Sequence, residues 1–218
     1  MSKKRYIVLI LACIGFALAS LWLSERNNRL LLRYLLDDYQ STQGQSTLLV
    51  GSSTIARWPT QQMPRCLPAA KRGFENGMVS HAKQYLSLSP QSPKRVVVYV
   101  GENDLYQSVD TDTLRDNTSA LINDLLASSV SQVYVLLVKY SPSRAKSHAE
   151  FDSFNRWLVE SYAESEKVKL VPLDKIASSH FYVGDGIHLN HAGYKLLSSW
   201  VNRMCTGEAL EQSLILPR

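Results

Sequence analysis

Little in this chain points to metal, redox or nucleic-acid chemistry. Of 218 residues only three are cysteine. Cys13 sits in an apolar N-terminal stretch, which leaves Cys66 and Cys205 either to pair in an oxidising compartment or to stand as separate small core residues. No cysteine or histidine cluster has zinc spacing, and no glycine-rich loop of the kind that cradles phosphate occurs. No cofactor is therefore expected. Internal repeats are absent. The formal charge of +5 is not a nucleic-acid footprint. Residues 1–45 carry six basic and three acidic side chains, which leaves only +2 for the remainder, and no basic stripe is interleaved with aromatics.

What charge there is marks the N-terminus. Lys3, Lys4 and Arg5 precede residues 6–24, which hold no charge, with a solidly apolar run over 7–23. That pattern reads as a membrane anchor or a cleaved signal peptide. Ala17 and Ala19 suit a cleavage site, whereas the run's continuation through Leu21, Trp22 and Leu23 brings it near the ~17 residues a span needs. A lipoprotein reading at Cys13 ranks behind both. The N-terminus is placed inside and the domain outside, anchored to the inner membrane facing the periplasm, or secreted if the segment is cleaved. Residues 27–40 form an amphipathic pattern that stands the domain off the membrane, lies along it, or packs on the domain. The polar stretch 41–45 is a linker. The resulting division is 1–24 targeting segment, 25–45 helix and linker, 46–207 catalytic domain, and 208–218 tail.

The domain is organised around Thr47-Leu48-Leu49-Val50-Gly51-Ser52-Ser53. Four strand-forming residues run into a glycine and two small hydroxyls, a buried strand ending in a tight turn. In an open parallel sheet ligands bind beyond the carboxyl ends of strands, so Ser53 is the candidate nucleophile. Strand, glycine and serine is also how a helix begins with serine as its N-cap. A nucleophilic serine needs a base and the base an orienting carboxylate. Asp185-Gly186-Ile187-His188 presents both groups from one loop, though a loop pair of this kind is also an ordinary solvated contact. Residues 95–100 form a continuous apolar run ending in Gly101-Glu102-Asn103-Asp104, where the Asn103 side chain offers an N–H to a tetrahedral oxyanion or closes a simple turn.

Together these segments resemble the SGNH or GDSL hydrolase superfamily, over residues 46–207. Gly51-Ser52-Ser53 resembles its first block, with Ser52 where the family name has aspartate; Gly101-Glu102-Asn103-Asp104 resembles the third and Asp185-Gly186-Ile187-His188 the last. The resemblance implies Ser53 as nucleophile, His188 as base and later acid, Asp185 as its orienter, and Ser53 and Asn103 as oxyanion donors. The second block, Arg72-Gly73-Phe74-Glu75-Asn76-Gly77, matches imperfectly. Ungapped pairing puts Asn76 at the glycine position, whereas a slip of one residue favours Gly77, which is the expected donor. The implied fold is a three-layer α/β/α sandwich around a parallel sheet of about five strands, flavodoxin-like. The implied activity is metal-free hydrolysis of a carboxylic ester, on an O-acetylated glycan or a lipid. Transfer to a sugar hydroxyl through the same residues, and a non-catalytic envelope module, are the alternatives.

Further strands are expected over 67–73, 132–140 and 168–173, and helices over 81–88, 112–127, 145–166 and 191–205, with a loop over 105–111.

Overall fold

In a computed structural model of the protein, residues 14–15, 20–41, 46–64, 69–173 and 176–206 are described, side chains extending to 204. The disulfide question rests on Cys66 and Cys205, whose side chains lie outside the described residues. Five strands, β1 (Thr47–Gly51), β2 (Ala69–Gly73), β3 (Arg95–Tyr99), β4 (Gln132–Leu136) and β5 (Val168–Val171), make one sheet in the order β2-β1-β3-β4-β5. Every pairing is parallel. The chain moves from β1 out to β2, then crosses back to β3 on the other side of β1. The carboxyl ends of β1 and β3 therefore flank the point where the winding reverses, where a crevice opens.

Because side chains alternate along a strand, each strand feeds two cores. Leu48, Val50, Val96, Val98, Val133 and Val135 face one layer. Leu49, Val97, Tyr99, Tyr134 and Leu136 face the other. The first layer is built by helices α1 (Arg26–Gln40), α3 (Val79–Leu88), α5 (Thr111–Ala127) and α6 (His148–Tyr162). The second holds the one-turn helix α2 (Ser53–Ala56) and α7 (His191–Thr206). The short α4 (Glu102–Tyr106) follows β3 directly. With apolar cover on both faces, the central strands read as continuous hydrophobic runs.

Helix α1 is packed on the domain. Leu31 is buried, and the buried Asp38 bonds Arg72 Nη2 at 2.5 Å, the Tyr85 hydroxyl at 2.6 Å and the Ser89 hydroxyl at 2.9 Å. Leu32, Leu36 and Tyr39 remain exposed on its outer side. Among the described residues no helix is long and apolar enough to cross a membrane.

Three expected segments differ. The 105–111 loop is shortened because Gly101, at φ +100°, turns the chain straight from β3 into α4. The 132–140 strand stops at Leu136. Beyond it Asn155 of α6 takes the place of a neighbouring strand, accepting from the Val138 N–H at 2.7 Å and donating to its carbonyl at 2.8 Å. The long helix over 145–166 resolves into a 3₁₀ stretch, Pro142–Ser147, and then α6, with Arg144 at φ −114° and ψ 24° breaking α geometry.

Candidate active site

The turn after β1 is held from both sides. The Ser52 N–H donates to the Tyr99 carbonyl of β3 at 3.0 Å, and the Phe74 N–H beyond β2 donates to the Gly51 carbonyl at 2.8 Å. Gly51 has to be glycine, since a Cβ there would lie 2.1 Å from the Tyr99 carbonyl oxygen. Ser52 occupies the cap position of α2, without a capping bond from its side chain, and Ser53 is the first helical residue. The Ser53 hydroxyl therefore does not cap a helix. Its Oγ lies 3.1 Å from Nε2 of His188, in a residue only 7% exposed.

His188 arrives on the loop between β5 and α7. Oδ1 of Asp185 accepts the N–H groups of Ile187 and His188 at 2.8 and 2.9 Å, curling the loop around the carboxylate. Oδ2 of the same carboxylate is 2.6 Å from His188 Nδ1. A carboxylate on Nδ1 keeps the proton there, leaving Nε2 as the acceptor that faces the serine hydroxyl. Burial pushes the Asp185 carboxyl up, but the bonds from the His188 ring and from the two N–H groups outweigh it and hold the group at about 2. Ser143 clamps the loop from the β4 side, its hydroxyl donating to the Asp185 carbonyl at 2.7 Å and its N–H to that of Gly186 at 3.1 Å.

The second block carries Gly77, the expected donor. Its N–H is engaged by the Phe74 carbonyl at 2.9 Å and closes the turn. Asn76 instead takes the left-handed conformation, φ 53°, that a glycine at this place would adopt. Among the described residues, the N–H groups of Ser53 and Asn76 donate to nothing. Asn103 is buried at the start of α4, its Nδ2 donating to the Gly77 carbonyl at 2.9 Å and its Oδ1 accepting from Arg144 Nη2 at 2.9 Å.

Asn76 and Asn103 also line a cavity of about 520 Å³, with Asn27, Glu75, Tyr106 and Arg144 among its walls. Among the described residues that line it, Met78 alone lacks a side-chain oxygen or nitrogen. Among the described residues, no group of three or more His, Cys, Asp or Glu side chains could hold a metal ion.

Sequence reasoning did not anticipate the buried charges behind Asn103. Glu102, Lys139 and Arg144 are each at most 6% exposed. Burial pushes the Glu102 carboxyl up, yet Lys139 and Arg144 overcome it and hold the group below its ordinary range. The available signal was a lone lysine closing an apolar strand opposite an acidic strand end.

This doubly wound parallel sheet, with serine, histidine and aspartate in line at its switch point, is the architecture of the SGNH hydrolases. The chain belongs to the GDSL-like lipase/acylhydrolase family, whose model matches residues 38–196, and it is accordingly an ester-cleaving hydrolase. Among solved structures it is similar to one named for platelet activating factor from Streptococcus pneumonia, at 19% identity and a TM-score of 0.73 over 88% of this chain and 99% of that one. A GDSL-like lipase from Bacteroides thetaiotaomicron is similar at 17% identity and a TM-score of 0.65, covering 82% and 98%. An acetylxylan esterase from Geobacillus stearothermophilus follows at 16% and 0.58, covering 74% and 95%. A comparison with curated protein sequences gives no match.

Proposed function

We propose that the chain is a serine esterase in which Ser53 is the nucleophile, His188 the general base and Asp185 the group that orients it. The observation that carries this reading is the continuous line from Asp185 Oδ2 through the His188 ring to Ser53 Oγ, with contacts of 2.6 and 3.1 Å. Ser53 Oγ attacks the ester carbonyl as Nε2 takes its proton, and the tetrahedral intermediate collapses by giving that proton to the departing alcohol. Water, deprotonated by the same Nε2, then attacks the acyl-enzyme and releases the acid and Ser53. The oxyanion is received by the Ser53 N–H, the Asn76 N–H and the second N–H of Asn103 Nδ2. Each such donor contributes about 3 kcal/mol in the transition state.

The polar side chains of Asn27, Glu75 and Arg144 in the cavity beside Asn76 and Asn103 favour a polar alcohol component over a long lipid tail. An O-acylated glycan is the substrate class we infer, in line with the acetylxylan esterase among the similar folds. We also place the domain in the cell envelope, held at the membrane by its N-terminal segment. The uncharged run over 7–23 after three basic residues supports this, as do the exposed Leu32, Leu36 and Tyr39 on the outer side of α1. Extraction of isolated membranes with carbonate tests the placement, which fails if the full chain leaves with the soluble fraction.

The enzymatic reading is tested by treating the full chain in detergent micelles with a fluorophosphonate and locating the adduct by mass spectrometry. Labelling at Ser53 that disappears in His188→Ala is the expected result. A folded protein without adduct overturns it.

A further inference from the structure

Behind the site, four side chains form a closed buried network. Lys139 Nζ lies 2.5 Å from Glu102 Oε2 and donates to Ser141 Oγ at 2.9 Å, while the Ser141 hydroxyl donates to Glu102 Oε1 at 2.5 Å. The Tyr99 hydroxyl adds a bond to Oε2 at 2.7 Å. This is a satisfied ion pair without Arg144. The guanidinium nonetheless enters as a second cation against one carboxylate, with Nη1 at 3.4 Å from Glu102 Oε1. Neither Nε nor Nη1 makes a hydrogen bond among the described residues. A buried cation with vacant donors is an expensive placement for which the ion pair alone gives no reason.

Among the described residues, the Nη2 of Arg144 donates to Oδ1 of Asn103 alone. The two orientations of an asparagine amide are nearly equal in shape and opposite in polarity. A guanidinium carries donors alone, so whatever faces Arg144 has to be the amide oxygen. Nδ2 is thereby turned the other way, with one hydrogen on the Gly77 carbonyl at 2.9 Å and the second left for the reacting centre. Flipped, the amide would set oxygen against the Gly77 oxygen and present a carbonyl to a developing negative charge. The positive charge behind Oδ1 also polarises the amide and sharpens Nδ2–H as a donor. The ring of Tyr106 lies against the guanidinium, its centroid 4.4 Å from Cζ.

We propose that Arg144 is a positioning residue of the oxyanion hole, acting through Asn103: it selects the amide orientation and strengthens the donor. The inference rests on the esterase reading above.

A double-mutant cycle on p-nitrophenyl acetate, run with the full chain in micelles, tests it. Arg144→Met is expected to lower kcat about tenfold or more with KM moving less than about threefold, and Asn103→Ala to lower kcat about 100-fold. In the Asn103→Ala background, Arg144→Met should then cost less than about twofold, because the group it acts through is gone. Arg144→Lys, which still offers only donors, should recover part of the loss. Additive losses, or an unchanged kcat in Arg144→Met, overturn the proposal. Should Arg144→Met fail to melt cooperatively, Arg144→Gln takes its place under the same criteria. Absence of fluorophosphonate labelling at Ser53 in the wild type would instead remove the esterase reading itself, so the two failures are distinguishable.

Discussion

Nε2 of His188 stands 3.1 Å from Oγ of Ser53, although 135 positions separate the two in sequence. Two independent loops, one after β1 and one after β5, bring them together, each anchored by its own backbone bonds. Replacing Ser53 by alanine removes a hydroxyl and leaves those anchors in place. Ser53→Ala is expected to lose at least ~10³-fold in kcat while its melting temperature stays within a degree or two of the wild type. Retained turnover would show that another group attacks the ester.

The backbone of Asn76 provides a separate test. Glycine at this place keeps the N–H and tolerates φ 53° without strain. Asn76→Gly should keep activity within about threefold. Asn76→Val forces a β-branched residue into the left-handed region at a cost of about 1–2 kcal/mol and should lower both the melting temperature and kcat. Equal losses of kcat in the two variants would shift the role from the backbone to the asparagine side chain.

The pH dependence of the Asp185 loop follows from its carboxyl. Burial raises it, but the His188 ring and the His188 and Ile187 N–H groups hold it at about 2 in the folded chain, against 3.8 ordinarily. A group depressed on folding stabilises the fold in full above its unfolded value and ceases to do so as pH falls through the folded one. The melting-temperature gap between wild type and Asp185→Asn should therefore be constant above about pH 4 and close between 4 and 2. A gap that does not narrow in that window assigns the stabilisation to another group.

Asp38 ties α1 to the domain through a partner-rich buried carboxylate. Asp38→Ala leaves the Arg72 guanidinium, only 14% exposed, without its counter-ion. Loss of one partner of a buried pair is expected to lower stability by about 3 kcal/mol, read as a lower urea midpoint with an unchanged slope. An unchanged midpoint would mean that α1 contributes little to the domain's stability.

The strands β1 and β3 and the three segments carrying Ser53, Asn103 and the Asp185–His188 pair were legible in the sequence. Each is a short apolar run or loop whose chemistry lies at a strand end. The second block was harder. Glycine is the usual residue at positive φ, and that favoured Gly77, but asparagine also accepts the left-handed region, and the turn places Asn76 there once Gly77 N–H bonds Phe74. Lys139 and Arg144 were hidden for a different reason. The apolar run continues through Val138, so nothing local announces that the chain leaves the sheet at Leu136 and brings a lysine beneath α4. Nor does sequence periodicity choose between Leu31 with Leu35 and Leu32 with Leu36, each pair spaced four residues apart on α1; the structure buries Leu31 and leaves Leu32 and Leu36 outside.

Helix α1 does more than pack on the sheet. Asn27 Nδ2 holds the Glu75 carbonyl at 3.0 Å, on the turn that sets Asn76, and the Tyr34 hydroxyl holds that of Gly73 at 2.8 Å, at the end of β2 that leads into it. The helix is thus a brace laid against the segment that carries Asn76.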